Sequence, residues 1–264
     1  MKVDVLTLFP EMFAPVTGSS ILGRAGEKGL LYINLINIRD YSSDKHSKAD
    51  DTPFGGGPGM VMMAQPLFDA IRSLAAPEEA GLDTTAPAGR RPAGRRMIYM
   101  SPRGRLLDAA LIRELAAEEE LCLLCGHYEG VDQRVLDYWQ FEEVSIGDYI
   151  LTGGELAAMV LIDAVARFIP EVLGSSESVE DESVYSGLLE CDQYTKPRCY
   201  EGLAVPEVLT SGNHKEIALW QYENSLALTK SRRPDLLRAY LEKEPELSKA
   251  EKKILQKVVA KPPL

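Results

Sequence analysis

The sequence predicts an α/β protein built on a largely parallel sheet, followed by a small, mainly helical C-terminal domain. Two observations carry this. Up to Leu173, short apolar or alternating runs of strand length take turns with longer segments of helical period, the order that yields parallel strands. Beyond Gly187 the strand-length runs stop, and helices separated by turn residues take over. The chain therefore divides into a sheet domain over residues 1–173, an interdomain linker over 174–187 rich in Ser, Glu and Asp, and a helical domain over 188–264.

The elements follow in order. Lys2–Leu8 alternates like a strand and carries Asp4 within it, which argues against a signal peptide. Leu31–Asn37 is a second strand and Ala64–Leu74 a helix. Ala75–Arg96 is rich in Ala, Pro, Gly and Arg without periodicity, the composition of a surface insertion. Met97–Met100 is a strand. Leu106–Glu120 is a helix with Leu107, Ala110, Leu111 and Leu115 on one face and Glu114 and Glu118–Glu120 toward water.

Leu121–Cys125 is a buried strand. Cys122 and Cys125 have C-x-x-C spacing, but the run is apolar and Cys191 and Cys199 do not repeat the spacing, so they read as core rather than metal ligands. Glu142–Ser145 is the last strand. Thr152 and Glu155 then have the spacing of a capping box opening the helix Glu155–Phe168. That helix is apolar on most sides, so it lies deep in a core or presses against a second subunit, the latter favoured because a domain of this size rarely buries a helix on every side; Pro170 ends it. In the second domain, Asn213–Leu228 is a helix, Pro234 suits a first helical turn, and Ser248 with Glu251 is a second capping box.

The 264 residues are 45% hydrophobic and 26% charged, enough for a sizeable core, and no apolar run is long enough to span a bilayer. The expectation is a cytoplasmic protein. Net charge is −11, so long-range attraction to nucleic acid is not built into the whole molecule. Locally, Ala86–Arg105 holds Arg90, Arg91, Arg95, Arg96, Arg103 and Arg105 and no acid. Asn213–Arg238 holds Lys215, Lys230, Arg232, Arg233 and Arg238 against Glu216, Glu223 and Asp235. Two basic windows leave room for a polyanion touching part of the surface.

Three glycine-bearing loops follow strands: Tyr99–Gly104, Leu124–Gly130 and Ser145–Glu155. In open α/β sheets ligands bind outside the carboxyl ends of strands, so three such loops predict one crevice. None fits a Rossmann or P-loop pattern, which points to a ligand held mostly by backbone. Gly153 and Gly154 remove side chains where a ligand or another stretch of backbone approaches. Glu129 is placed to hold ribose hydroxyls or a positive charge of a ligand, or to sit solvated in its loop. Thr52–Met60 is so glycine-rich that it is a backbone-shaped or mobile loop, for phosphate cradling or for cover. Arg167, near the end of a greasy helix, needs a partner: a structural carboxylate or a developing negative charge. Glu180–Ser183 is an acidic run that matters only if it folds over the crevice.

Taken together, Leu124–Arg134, Ser145–Glu155, Phe54–Met60, Ser211–Lys215 and Phe9–Phe13 closely resemble the bacterial tRNA (guanine-N1)-methyltransferases, over almost the whole chain except Ala75–Arg96. The resemblance implies a SPOUT-class sheet domain with a trefoil knot, an exception to the rule that chains avoid knots. It implies a homodimer with each site completed by the other subunit, S-adenosylmethionine bent inside the knot, and methylation of N1 of the tRNA guanosine at position 37, 3′ of the anticodon. By residue, it puts Tyr99, Ser101, Pro102, Gly126, Glu129, Ile146, Gly147, Tyr149, Leu151, Gly153 and Gly154 around S-adenosylmethionine.

The catalytic pair of the family falls on Arg167 and on the linker carboxylate directly before Ser183, which here is Glu182 with Asp181 preceding it. Glu182 is taken as the general base and Asp181 as its reserve. His127 stands where an arginine is commoner, and Gln193 where a histidine is. A magnesium ion is associated with the family; the acidic linker offers carboxylates for Mg2+ but no fixed ligand set. Rival readings are a SPOUT ribose 2′-O-methyltransferase and a non-catalytic RNA-binding dimer.

Overall fold

A computed structural model of the chain describes residues 1–74, 94–173, 183–243 and 245–260. Its contacts divide it into two compact units, Met1–Ser176 and Glu177–Leu264. The first unit is an α/β layer structure around a five-stranded sheet, and every pairing in that sheet is parallel. The strands are β1 (Lys2–Thr7), β2 (Tyr32–Asn37), β5 (Arg95–Leu106), β6 (Glu120–Cys125) and β7 (Glu142–Ser145), in the spatial order β2-β1-β6-β5-β7. A separate hairpin of β3 (Asp50–Asp51) and β4 (Val61–Met62) carries the Thr52–Met60 loop at its tip.

Period-two alternation sorts the strand side chains onto two faces, both buried. Val3, Val5, Leu121, Leu123, Cys125, Ile98 and Met100 face one layer, which holds α2 (Ser20–Glu27), α4 (Ala109–Ala116) and α6 (Glu155–Ala166). Leu6, Cys122, Leu124, Met97 and Tyr99 face the other, against α3 (Ala64–Arg72) and α5 (Gln133–Trp139). A short α1 (Ala14–Thr17) precedes α2. Asp4, fully buried in β1, is tolerated because Asn34 Nδ2 donates to it at 2.8 Å and Lys2 and Arg95 approach at 3.3 and 3.4 Å.

The cysteines of β6 are core, as the apolar run indicates. Burial pushes both the Cys122 and the Cys125 thiol well up, which disfavours the thiolate a metal or an electrophile needs. Thiol labelling of the native protein is therefore expected to modify exposed Cys199 and spare Cys122 and Cys125 until denaturant is added. Fast native labelling at either β6 position, read by peptide mass spectrometry, would contradict that burial. Among the described residues no group of three or more His, Cys, Asp or Glu is disposed to hold a metal ion.

The largest boundary differences from the sequence expectation lie around β5, where the strand expected over Met97–Met100 spans Arg95–Leu106. The helix expected over Leu106–Glu120 is only Ala109–Ala116, because Asp108 accepts from Leu111 N at 2.8 Å and sets the N-cap. Arg105 and Leu106 remain in β5, which starts at Arg95. The insertion expected over Ala75–Arg96 thus loses its last two residues to the sheet, and residues 75–93 lie outside those described.

This also changes the reading of the first basic window. Arg95 pairs with Glu120, Arg96 with Glu142, Arg103 with Glu143 and Arg105 with Glu114. These guanidinium groups are matched by carboxylates of the sheet and α4, so they do not form an unneutralised polyanion site. Arg90 and Arg91 lie outside the described residues.

α6 is largely core, with Leu161, Ile162, Val165 and Ala166 all buried. Its one outward stripe is Leu156 and Val160, one turn apart and each about half exposed. The apolar-all-round pattern thus serves the core first and leaves a narrow greasy seam.

The second unit contains α7 (His214–Arg232), α8 (Pro234–Glu242), α9 (Lys249–Ala260) and a two-stranded ribbon of β8 (Cys199–Tyr200) and β9 (Leu203–Ala204). Leu188, Leu226, Leu237 and Val258 form its core. The second capping box is present: Ser248 N donates to Glu251 Oε2 at 2.8 Å, and Glu251 N to Ser248 Oγ at 3.3 Å. Lys230 Nζ reaches the carbonyls of Val258 and Val259, and Arg233 pairs with Asp235 at 2.6 Å, so part of the second basic window is used inside the unit. No helix among the described residues is long and apolar enough to cross a membrane.

Candidate active site

Of the three glycine-bearing loops, the first bulges out within β5 and the other two leave the carboxyl ends of β6 and β7; the three strands are adjacent in the sheet, and the loops converge on one cavity of about 300 Å³. Tyr99, Ser101 and Pro102 line it from the first loop, Gly126 and Glu129 from the second, and Ile146, Gly147, Tyr149, Leu151, Gly153 and Gly154 from the third. Every residue that the sequence comparison set around a methyl donor is therefore on its wall. His127, Tyr128 and Thr152 line it as well and were not singled out for it.

The first loop is a bulge within β5. Ile98–Met100 pair with Glu142–Val144, Ser101–Gly104 swing out, and Arg105 and Leu106 rejoin Val144 and Ser145. Glu143 clips the bulge in place, accepting from Ser101 Oγ at 2.5 Å and from Arg103 at 2.8 and 3.1 Å. The Ser101 proton is thus committed to protein, and its oxygen also accepts from Arg103 N at 3.2 Å. Burial pushes the Tyr99 phenol up, with Glu143 adding to the shift, so the ring meets the cavity as a neutral group.

The second loop runs from Gly126 to Gly130. Glu129 N donates to Met60 O at 3.0 Å and Met62 N to Gly130 O at 2.9 Å, tying it to the β3–β4 hairpin. At Gly59, with φ +91°, an added Cβ would fall 2.5 Å from the Glu129 side chain. The glycine-rich tip is therefore a wall for Glu129, the cavity's one acidic side chain among the described residues.

The third loop carries Gly147 at φ +151° and closes with Gly154 N donating to Gly126 O at 2.9 Å. Here the capping-box expectation is overturned. The N-cap of α6 is Gly154, without a side-chain cap, and the Glu155 carboxylate turns inward, 1% exposed. It accepts from Thr7 Oγ1 at 2.7 Å and stands 2.7 Å from His127 Nε2. The spacing of Thr152 and Glu155 was right for a cap, but a buried hydroxyl and an imidazole compete better for the carboxylate. The glycines are required by protein rather than ligand: an added Cβ on Gly154 would lie 2.8 Å from Cys125 Cα, and one on Gly153 2.3 Å from His127 Cε1.

Arg167 is not brought to this cavity. It is the C-cap of α6, whose N-cap Gly154 is on the cavity wall, so at about 1.5 Å per residue it sits roughly 20 Å down the helix. Asp181 and Glu182 lie outside the described residues.

A parallel sheet covered on both faces, with one cavity lined by loops of adjacent strands, is the arrangement in which α/β proteins place their ligand sites. The family model described as tRNA (Guanine-1)-methyltransferase TrmD matches residues 1–239. A tRNA (guanine-N(1)-)-methyltransferase of Alkaliphilus oremlandii is 49% identical over 261 residues, covering 99% of this chain and 100% of the relative. Proteins of the same name from Ruminiclostridium cellulolyticum and Moorella thermoacetica are each 53% identical, over 236 and 237 residues, covering 89% and 90% of this chain and 96% and 90% of the relatives. The chain belongs to the tRNA (guanine-1)-methyltransferase family.

Proposed function

We infer that this protein methylates N1 of the guanosine at tRNA position 37, 3′ of the anticodon, with S-adenosylmethionine as donor. The observation that carries the reading is the convergence of three glycine-bearing loops on one cavity, in a chain that matches the family over nearly its full length. The wall suits the donor's chemistry: aromatic rings and aliphatic groups for a purine, and among the described residues one carboxylate, Glu129, for a cationic or hydroxyl-bearing part. When bound, S-adenosylmethionine supplies an electrophilic methyl carbon.

The chain's own residues have two tasks. Guanine N1 carries a proton and is a poor nucleophile, so a carboxylate in hydrogen-bond reach must take that proton; Glu182 is assigned this role, with Asp181 in reserve. As the proton leaves, charge builds on guanine O6, and Arg167 is assigned to stabilise it there. The linker carboxylates expected for Mg2+ lie outside the described residues, among which no group of three or more His, Cys, Asp or Glu is disposed to hold a metal ion.

The site is read as shared in a homodimer. In a single chain Arg167 is roughly 20 Å along α6 from the cavity, and Leu156 and Val160 leave an apolar seam on that same helix. A partner seated on α6 supports both features. The SPOUT trefoil knot is the proposed path by which the chain after β7 reaches Gly126, and the protein is taken to act in the cytoplasm.

Methyl transfer to unmodified tRNA transcripts tests the reading. Label is expected in transcripts with guanosine 3′ of the anticodon and not in those lacking it, with the methyl on N1 by mass spectrometry of the digest. A methyl on ribose O2′ would transfer the assignment to the rival SPOUT chemistry. Absence of calorimetric heat with S-adenosylmethionine would leave an RNA-binding protein only.

A further inference from the structure

Behind the cavity lies a closed ring of contacts that the proposed reaction does not use. Thr7, the last residue of β1, is fully buried and accepts from Phe9 N at 2.9 Å, so its own proton is directed to Glu155 Oε1 at 2.7 Å. Glu155 Oε2 meets His127 Nε2 at 2.7 Å. The His127 ring packs on Phe9 with centroids 5.0 Å apart, which returns the chain of contacts to Thr7. Three segments far apart in sequence, the end of β1, the loop after β6 and the first turn of α6, are thereby fixed to one another.

A carboxylate only 1% exposed is costly unless its oxygens are filled by donors. Thr7 fills one and His127 fills the other, provided Nε2 carries the proton. The pair also occupies the space next to Gly153, where an added Cβ would meet His127 Cε1 at 2.3 Å, Nε2 at 2.4 Å and Glu155 Oε2 at 2.6 Å. His127 and Gly153 both line the cavity.

We propose that Thr7, Glu155 and His127 are positioning residues for the cofactor cavity: the buried carboxylate holds the His127 ring with its proton on Nε2 and so sets the Gly126–Gly130 loop against the start of α6. This rests on the cavity being the S-adenosylmethionine site. It is distinct from the catalytic assignment, which falls on Glu182 and Arg167.

The test pairs calorimetry of S-adenosylmethionine binding with ¹⁵N spectra of the full-length protein, in which only three histidines need assignment. Wild type must bind, and a wild type that gives no heat overturns the cofactor reading itself. Glu155→Ala is expected to weaken binding roughly tenfold or more, the scale of orphaning buried polar groups. Glu155→Gln still accepts from Thr7 and turns an N–H toward His127, so it recovers most of that loss. In it the His127 proton moves from Nε2 to Nδ1, a change that a merely space-filling residue would not produce. Wild-type affinity in Glu155→Ala, or a His127 ring protonated identically in wild type and Glu155→Gln, overturns the proposal. Should Glu155→Ala fail to fold, the nitrogen spectra and the isosteric Thr7→Val decide: Thr7→Val is expected to weaken binding severalfold, and no weakening counts against the ring.

Discussion

Glu182→Gln is expected to lower methyl transfer by about 10²–10⁴-fold, the span that a positioned general base contributes. Binding of S-adenosylmethionine is expected to persist, because the described residues that line the cavity come from the three loops of β5, β6 and β7 and from α6. The amide keeps the size and polarity of the carboxylate but cannot accept the N1 proton. Single-turnover rates on a tRNA transcript, measured beside donor affinity, separate the two effects. Full activity in this variant, with loss in Asp181→Asn, would shift the base one residue upstream. Arg167→Ala should follow the same pattern, with a loss of about 10²–10³-fold in kcat as expected for a group that stabilises developing charge. Mixing inactive Arg167→Ala with a cavity variant such as Glu129→Ala is expected to restore activity if the partner supplies the arginine. A mixture that stays dead would return Arg167 to its own chain.

Gly104→Ala is expected to destabilise the sheet domain by about 3 kcal/mol or more, at the upper end of overpacking costs. An added Cβ would stand 2.2 Å from Glu143 C, 2.3 Å from Val144 N and 2.4 Å from Glu143 O, all backbone atoms of β7. No rotamer change relieves contact with main chain, so β5 and β7 must part where the bulge rejoins the sheet. For a domain of this size the expected fall in Tm is about 6–12 °C. Gly56→Ala is the control: its φ of +77° costs some strain, but nothing lies within 4 Å of the added Cβ. A calorimetric scan in which the two variants melt together would remove the close approach as the reason for a glycine at 104.

Much of the site was readable because its loops follow strands and carry glycines where neighbouring protein atoms leave no room for a Cβ. Three glycine-bearing loops in one α/β pattern point to one crevice, and each of them lines it. The sheet strands were readable for a related reason: burial on both faces demands apolar runs of strand length. What misled was chemistry that local spacing could not rank. Thr152 and Glu155 had the separation of a cap, while the partner that won, Thr7, lies 148 residues from Glu155 in the chain. The arginine-rich window looked like a polyanion patch because the acids that neutralise it, Glu114, Glu120, Glu142 and Glu143, come from other elements.

Local periodicity and turn chemistry, which act over a few residues, were enough to determine the layered α/β class, the three loops and the family. Tertiary structure alone decided which groups met across the sheet: the inward turn of Glu155, the clipping of the β5 bulge by Glu143, and the distance of Arg167 from its own cavity. Those outcomes depend on which donor or acceptor is nearest in space once water is excluded, and nearness in space is set by strand order rather than by position along the chain.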